Sequence, residues 1–212
     1  MKQFNNLVFV LNGPSASGKT TILETLTKGI ELPDGSHIPP LENMEPLITV
    51  TTRPPRPGEI EGVHYNFLTP EQFEEEKAKG NIVEETVYAG VKYGILDTAI
   101  QAIRNAGKDA VVVLDMHGIS EMKRFYGAEN VVSIFVYREL DDILAELRKR
   151  PITEEAVMRR YEQAKSEIAA NFSRTDYRVL NTSTVKDLVA QVANIVREER
   201  AKHNRTVEVK AV

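Results

Sequence analysis

The sequence contains no cysteine, which excludes disulfides and thiolate metal sites and is typical of proteins from a reducing compartment. Histidine, the other common ligand of zinc, occurs only four times and without the spacing of a metal site. We therefore expect no zinc centre and interpret the histidines as structural or surface residues, namely His37, His64, His117 and His203.

Long hydrophobic runs and an excess of positive charge are also missing. No apolar stretch approaches the roughly 18 residues that a membrane-spanning helix needs, and residues 1–6 lack the apolar segment of a signal peptide. The 31 Asp and Glu outnumber the 27 Lys and Arg, giving a net charge of −4, whereas nucleic-acid-binding proteins usually carry a basic surface. We therefore expect a cytoplasmic protein whose partners are neither membranes nor nucleic acids.

What is present is enough apolar sequence for one sizeable domain. The chain has 212 residues, of which 42% are hydrophobic. Continuous apolar strands that alternate with helices are typical of a parallel sheet covered on both faces, so we predict an α/β fold. Short β-branched runs predict the strands near residues 7–12, 46–51, 109–115, 131–137 and 177–181.

Residues 13–20 follow the first predicted strand and fit the phosphate-binding pattern G-x-x-x-x-G-K-[ST]. Glycines in such a loop let main-chain N–H groups surround an anion, and the helix predicted over residues 19–29 adds its positive N-terminal dipole. Lys19 can reach the outer phosphates, and the Thr20 hydroxyl can bind Mg²⁺. The alternative is an ordinary glycine turn, but the complete spacing favours binding of a nucleoside triphosphate.

The segments between the predicted strands differ in composition. Residues 30–45 are rich in Pro and Gly and predict a surface loop, whereas residues 53–95 predict a small mixed subdomain with a helix over 70–79. Residues 139–171 are helical and heavily charged, and a long amphipathic helix is predicted near 184–203. Because ligands of open parallel sheets bind at the carboxyl ends of the strands, we expect the loops at that edge to line the site.

A second motif, in residues 51–67, places two arginines three positions apart among prolines. Guanidinium groups suit bidentate capture of a phosphate, and the prolines at 54, 55 and 57 limit the entropy lost on binding. On these residues alone, a Pro-rich exposed turn with solvated Arg53 and Arg56 is an equally good interpretation.

Residues 51–67 resemble the signature of guanylate kinases, T-[ST]-R-x-x-[KR]-x-x-[DE]-x-x-G-x-x-Y-x-[FY], at every specified position. Residues 13–20 resemble that family's GPSxxGK[ST] loop. The resemblance extends over about residues 7–200, and further matches follow in the family's order at Glu84, Tyr93-Gly94, residues 114–118, Arg160 and Glu167.

The resemblance implies Mg²⁺-dependent transfer of the γ-phosphoryl group of ATP to GMP, giving ADP and GDP. It implies one domain with a core of parallel strands and flanking helices at about residues 1–48, 96–138 and 172–204. A GMP-binding subdomain would occupy about 49–95 and a helical lid about 139–171. The expected partners are small-molecule nucleotides, and the protein would be a monomer or a homodimer.

Carried over by position, the resemblance also implies roles for individual residues. ATP would be bound by Gly13, Ser15, Ala16, Ser17, Gly18, Lys19, Thr20, Thr21 and Asn181. GMP would be bound by Thr49, Arg53, Arg56, Tyr65, Glu84, Tyr93 and Asp115. The catalytic charges would be Lys19, Arg53, Arg56, Arg148, Arg150 and Arg160, with either Arg148 or Arg150 contacting the phosphate. The Mg²⁺ ligands would be Thr20 and, through a water, Asp115.

Three alternatives accompany this interpretation. Glu84 can read guanine by accepting hydrogen bonds from N1–H and the exocyclic amine, or it is simply an exposed strand residue. Because Ile95 and Val113 stand where the family usually has a small hydroxyl residue and a second acid, the acceptor could be dGMP, another nucleotide or a ribose phosphate. A non-catalytic interaction module of the same fold is disfavoured by the complete phosphate loop.

Overall fold

The computed structural model describes residues 6–88, 90–182 and 184–210. In this part of the chain the strands are β1 (Val8–Asn12), β2 (Ile30–Glu31), β3 (His37–Ile38), β4 (Met44–Pro46), β5 (Val50–Thr51), β6 (Asn66–Phe67), β7 (Ile82–Tyr88), β8 (Val91–Leu96), β9 (Asp109–Val113), β10 (Val131–Tyr137) and β11 (Tyr177–Leu180). The helices are α1 (Lys19–Lys28), α2 (Pro70–Ala78), α3 (Asp97–Asn105), α4 (Met116–Tyr126), α5 (Leu140–Arg148), α6 (Glu154–Asn171) and α7 (Val185–Lys210).

Five parallel strands form the central sheet in the order β11–β10–β1–β9–β4. All five residues of β1 are buried, as the continuous apolar run predicts for the middle strand of a covered sheet. The predicted α/β fold with a parallel sheet is therefore confirmed.

Helices cover both faces of the central sheet because successive side chains of each strand point to opposite faces. Phe9 and Leu11 pack in a core with α1 and α7, whereas Val8 and Val10 pack in a second core with α3 and α4. This arrangement leaves the carboxyl edge of the strands open for the loops that follow β1, β9, β10 and β11.

The strand predicted over residues 46–51 is wrong as a single element. Met44–Pro46 pairs with β9 in the central sheet, whereas Val50–Thr51 pairs with β8 in a separate four-stranded mixed sheet of order β6–β5–β8–β7. Pro46 has no N–H to donate, which suits the end of an edge strand. The Leu47 N–H donates a final hydrogen bond of this sheet to the carbonyl of Val111, and the chain then crosses to the second sheet.

The surface loop predicted over residues 30–45 is only partly correct. Ile30–Glu31 and His37–Ile38 form an antiparallel hairpin, and Met44 begins the edge strand β4. At the tip of the hairpin, the Asp34 carboxylate accepts a hydrogen bond from the Ser36 N–H, and Gly35 has a positive φ. The turn residues thus close a short hairpin that their composition alone does not distinguish from a loop.

The predicted helices are present, with different ends. The Thr69 side chain and Gln72 form a capping box, so α2 begins at Pro70 as expected and ends at Ala78. The helical region predicted over 139–171 is two packed helices, α5 and α6, and α7 continues to Lys210, past the predicted end near residue 203. Among the described residues, no helix combines the length and the apolar character needed to cross a membrane.

Candidate active site

The phosphate loop joins β1 to α1 and is held against the ends of two neighbouring strands. Gly13 has a φ of +135°, and a Cβ there would lie 2.0 Å from the carbonyl oxygen of Val136 in β10. Next to β11, the Asn181 amide donates a 3.0 Å hydrogen bond to the carbonyl of Ser17, whose side chain is fully buried. The loop thus lies against the backbone of β10 at Gly13 and is held by the Asn181 side chain at Ser17, so both ends are fixed without a ligand.

A Gly13→Ala substitution is expected to lower the free energy of unfolding by more than about 2 kcal/mol, because the methyl group meets backbone and the φ is strained. Gly35 is the matched control: its φ is +78°, but a Cβ there has nothing within 4 Å. We expect Gly35→Ala to lower the free energy of unfolding by only about 1 kcal/mol in urea denaturation. Equal losses for the two variants would show that the contact with Val136 does not constrain the loop.

The Lys19 ammonium lies in the middle of this loop. It donates hydrogen bonds of 2.6 Å to the carbonyl oxygens of both Gly13 and Pro14. Burial lowers the pKa of Lys19 to about 8, while the Glu167 carboxylate opposes that shift and Arg150 adds to it. A half-buried cation whose nearest acceptors are two carbonyl oxygens is well placed to exchange them for phosphate oxygens.

A cavity of about 420 Å³ lies over the loop, and its polar wall comes from several elements. The Arg150 guanidinium, just beyond the end of α5, donates to the Ser15 hydroxyl at 3.2 Å. Burial lowers the pKa of Arg150, and so does the nearby charge of Arg160. The cavity is lined by the predicted ATP-binding residues Ser15, Ala16, Ser17, Gly18, Lys19, Thr20, Thr21 and Asn181, and also by Arg138, Glu146, Arg150, Val185 and Leu188. We call it the donor cavity, because the residues expected to bind ATP, the phosphoryl donor, line it.

The predicted lid arginines are not all brought to the donor cavity. The Arg148 side chain is 55% exposed, pairs with Glu154 at 2.7 Å and does not line the cavity. Arg160 is half-buried and also absent from the lining. In contrast, Arg138 does line it, although the sequence reasoning did not single it out. The available signal is its position, since Arg138 directly follows β10 at the carboxyl edge of the sheet.

A second cavity, of about 560 Å³, adjoins the donor cavity, and Lys19 lines both. Five of the residues expected to bind GMP, the phosphoryl acceptor, line this second cavity, namely Thr49, Tyr65, Glu84, Tyr93 and Asp115. We call it the acceptor cavity. Asp115 also caps α4, because its carboxylate accepts a 2.8 Å hydrogen bond from the Gly118 N–H. The cap places the start of α4 at the cavity wall.

Glu84 is a buried carboxyl group in the acceptor cavity and not an exposed strand residue. It is 4% exposed, and the Thr86 hydroxyl donates a 2.6 Å hydrogen bond to it. Burial raises the pKa of Glu84, the Thr86 hydrogen bond opposes that shift, and the Asp115 charge adds to it. Thr86 was missed from the sequence, although it stands on the same face as Glu84, two residues along β7.

The position of Ile95 shows how the acceptor cavity differs from the expected pattern. The Ile95 side chain is fully buried in the core between the sheet and α3, and it does not line the cavity. Thr86, on the neighbouring strand, is one of the residues that bring a hydroxyl group to the cavity. Val113, the other departure, does line the cavity and is 36% exposed.

Arg53 is held by a carboxylate and two aromatic rings. Its guanidinium donates two hydrogen bonds to Glu59, at 2.5 and 2.7 Å, and lies 4.9 Å from the centre of the Tyr65 ring and 5.7 Å from that of Phe67. Only 10% of the Arg53 side chain is exposed, and the pairing lowers the pKa of Glu59 to about 2. Glu59 therefore fixes the orientation of Arg53, and sequence reasoning assigned it no role.

Arg56 lies beside this pair and is exposed to solvent. Its backbone N–H donates a 2.7 Å hydrogen bond to Glu59, so the same carboxylate orders the turn that carries both arginines. Arg53 and Arg56 line a third cavity, of about 300 Å³, which shares Thr49 and Tyr65 with the acceptor cavity. The two arginines thus stand at one side of the acceptor cavity, and the Arg56 side chain is exposed.

The described residues contain no cluster of three or more His, Asp or Glu side chains that could hold a metal ion. The Thr20 hydroxyl and the exposed Asp115 carboxylate are oxygen ligands, of the kind that Mg²⁺ prefers. Thr20 lines the donor cavity and also the cavity of Arg53 and Arg56. This arrangement fits an ion that one or two protein oxygens hold together with substrate phosphates and water.

Known proteins similar to this chain share its length and fold. The family model described as guanylate kinase matches residues 5–199. The guanylate kinase of Thermotoga maritima is 35% identical over 93% of this chain and 89% of its own length, and that of Clostridium perfringens is 32% identical over 98% and 90%. The crystal structure of guanylate kinase from Anaplasma phagocytophilum superimposes with a TM-score of 0.67 at 26% identity, covering 92% of this chain and 86% of the other. Because the guanylate kinase family model matches nearly the whole of this chain, the chain belongs to the guanylate kinase family.

Proposed function

We propose that this chain is a guanylate kinase, which transfers the γ-phosphoryl group of ATP to GMP and releases ADP and GDP. The observation that carries the proposal is the meeting of the donor and acceptor cavities at the Lys19 ammonium. One cavity is lined by residues 15–20 of the phosphate loop, and the other contains a buried carboxyl group suited to the N–H donors of guanine. The same pair of substrates is implied by the family of the chain.

The chemistry needs charge and position more than it needs a base. An oxygen of the GMP phosphate attacks the γ-phosphorus of ATP, a new P–O bond forms, and the bond to the β,γ-bridging oxygen breaks, leaving ADP. That attacking oxygen is already ionised near neutral pH. The barrier therefore lies in bringing two polyanions into line, which fixed cations lower. Lys19 and Arg150 would hold the donor phosphates, and Arg53 and Arg56 the phosphate of GMP.

Mg²⁺, when bound with ATP, would neutralise part of the phosphate charge. Thr20 would hold it directly and Asp115 through a water. We further propose that residues 49–95 act as the GMP-binding subdomain and that 139–171, which carry α5 and α6, act as a lid over the rest of the chain. Closure of the lid would exclude water and suppress hydrolysis of ATP. The enzyme would act in the cytoplasm, as a monomer or a homodimer, in purine nucleotide metabolism.

The test is a coupled assay of ADP release with a panel of acceptors: GMP, dGMP, IMP, AMP and ribose 5-phosphate. We expect the highest kcat/KM with GMP. The alternative is a kinase of the same fold that acts on another phosphorylated acceptor. The observation in its favour is Val113, which stands where the family usually has an acid and lines the wall of the acceptor cavity. Equal or higher activity with an acceptor other than GMP would show that GMP is not the preferred acceptor and would support this alternative. Absence of turnover with every acceptor would favour a non-catalytic interaction module.

A further inference from the structure

Arg138 is a cation of the donor cavity whose hydrogen-bonding capacity is incompletely used. Its side chain is 22% exposed and lines the cavity beside the phosphate loop. Its Nε is buried, and among the described residues it has no hydrogen-bond partner. Its Nη1 lies 3.6 Å from the Glu146 carboxylate, which is too far for a hydrogen bond. A buried guanidinium N–H without an acceptor is unfavourable and points to an acceptor that arrives with a ligand.

The Glu146 carboxylate does not neutralise Arg138 fully, because its closer partner is another cation. Lys149 lies 2.5 Å from the same carboxylate oxygen, and its hydrogen bond is the main cause that lowers the pKa of Glu146. The side chains of Lys149 and Glu146 are 69% and 36% exposed, so solvent also screens the charge of the carboxylate. The charge of Arg138 is therefore largely available to the cavity.

The backbone around Arg138 places it between two parts of the donor site. The carbonyl of Val136 approaches Gly13 at the start of the phosphate loop, and the carbonyl of Tyr137 accepts a 2.8 Å hydrogen bond from the Asn181 N–H. Arg138 follows these two residues on the same strand end. It thus stands between the loop and Asn181, whereas Arg150 reaches the loop at Ser15 from the end of α5.

We propose that Arg138 binds phosphate oxygens of the donor nucleotide, and that Glu146 is a weak counter-ion that orients it until the nucleotide arrives. This inference rests on the proposed function, since it identifies a further contact to the same donor. Phosphate oxygens would supply the missing acceptor for Arg138 with a charge-assisted hydrogen bond. They would at the same time be repelled by Glu146, which lies in the same cavity. Replacing Arg138 should therefore weaken binding of the donor nucleotide, whereas replacing Glu146 should strengthen it.

The experiment is calorimetric titration of the GMP-free enzyme with ADP and with the non-hydrolysable analogue β,γ-imido-ATP. We expect Arg138→Met to weaken both by about tenfold to a hundredfold, and Arg138→Lys to recover part of the loss. Glu146→Gln should strengthen both by about two- to fivefold. Affinity for GMP should stay within about twofold of the wild type in all three variants. Arg124→Met is the matched control, because Arg124 pairs with Glu121 at 2.6 Å on the surface of α4, away from the donor cavity.

A purely structural role for the pair gives a different pattern. In that case Arg138→Met and Glu146→Gln would change donor affinity in the same direction, and thermal unfolding without nucleotide would show similar losses for both. That pattern, or unchanged affinity in Arg138→Met, overturns the proposal. If Arg138→Met fails to fold, the sign of the Glu146→Gln effect decides, because only the donor-binding role predicts tighter binding. A wild-type protein that binds neither ADP nor the analogue would instead contradict the proposed function itself.

Discussion

Replacement of Lys19 by Met is expected to reduce kcat by about a hundredfold to a thousandfold, the effect of removing one positioned charge from a transition state. Among the described residues, Lys19 is the only charged side chain that lines both the donor and the acceptor cavity. It is therefore placed where negative charge passes from one nucleotide to the other. The measurement is the coupled assay with saturating ATP and GMP, and a variant with near-full activity would contradict the proposed mechanism.

The same substitution should not destabilise the protein. Because burial lowers the pKa of Lys19 to about 8, from 10.5, the folded state holds the protonated form less favourably than the unfolded chain does. At pH 7 the Met variant should therefore gain up to about 3 kcal/mol in free energy of unfolding. From about pH 8 to 10.5 the wild type should become more stable as pH rises, since the unfolded chain binds the extra proton, and the variant should lack this rise.

A loss of stability in Lys19→Met would mean that the hydrogen bonds to Gly13 and Pro14 outweigh the cost of burying the ammonium. Lys28→Met is a suitable control. Lys28 ends the same helix, but it is exposed, so its removal should leave unfolding within about 0.5 kcal/mol of the wild type.

The parts of the site that the sequence predicts well are those set by local backbone geometry. The spacing of Gly13, Gly18 and Lys19 matches a loop that must turn sharply between a strand and a helix, and both glycines have a positive φ in the structure. The β-branched run over residues 131–137 likewise corresponds to β10 without a shift in its ends. In these segments the backbone preferences of neighbouring residues agree with the final conformation, so the sequence pattern is enough to predict it.

The parts that the sequence could not predict depend on which distant groups meet. Arg148 and Arg150 are two residues apart near the end of one helix, so they point in different directions, and only contacts decide which enters the site. Arg148 pairs with Glu154, while Arg150 reaches Ser15, 135 residues away along the chain. Arg138 directly follows a correctly predicted strand at the carboxyl edge of the sheet, but only its contacts show that the side chain enters the donor cavity.

The burial of Glu84 also depends on distant contacts. As part of the sequence around β7, a Glu is by default an exposed residue. The structure buries it because β7 pairs with β8 in the second sheet and packs against α4. Thr86 then supplies the nearest hydrogen bond to the carboxyl group. The carboxyl group that we propose to read guanine is thus placed by contacts that lie far from it in the sequence.

Replacement of Glu84 by Gln is expected to lower kcat/KM for GMP by about a hundredfold and to leave the affinity for β,γ-imido-ATP unchanged. A carboxylate accepts hydrogen bonds from both N1–H and the exocyclic amine of guanine, and each such bond to a charged group contributes about 1.5–3 kcal/mol. A Gln side chain can turn only one oxygen toward these donors, and its amide then opposes the other donor. Because IMP lacks the exocyclic amine, the preference for GMP over IMP should shrink in the variant, and an unchanged preference would rule out Glu84 as the group that reads guanine.

The pH dependence of GMP binding tests the same carboxyl group without removing it. Since burial raises the pKa of Glu84, GMP affinity should fall as the pH drops toward that raised value, because a protonated carboxyl loses an acceptor. Thr86→Val removes the hydroxyl that opposes the shift, so the midpoint should move to higher pH. The charges of Asp115, His117 and Glu121 also act on Glu84 and are the same in both proteins. The GMP phosphate also titrates, at about pH 6, so Glu84→Gln is the reference that retains only the phosphate titration. If the profiles of wild type, Thr86→Val and Glu84→Gln coincide, the carboxylate does not bind guanine.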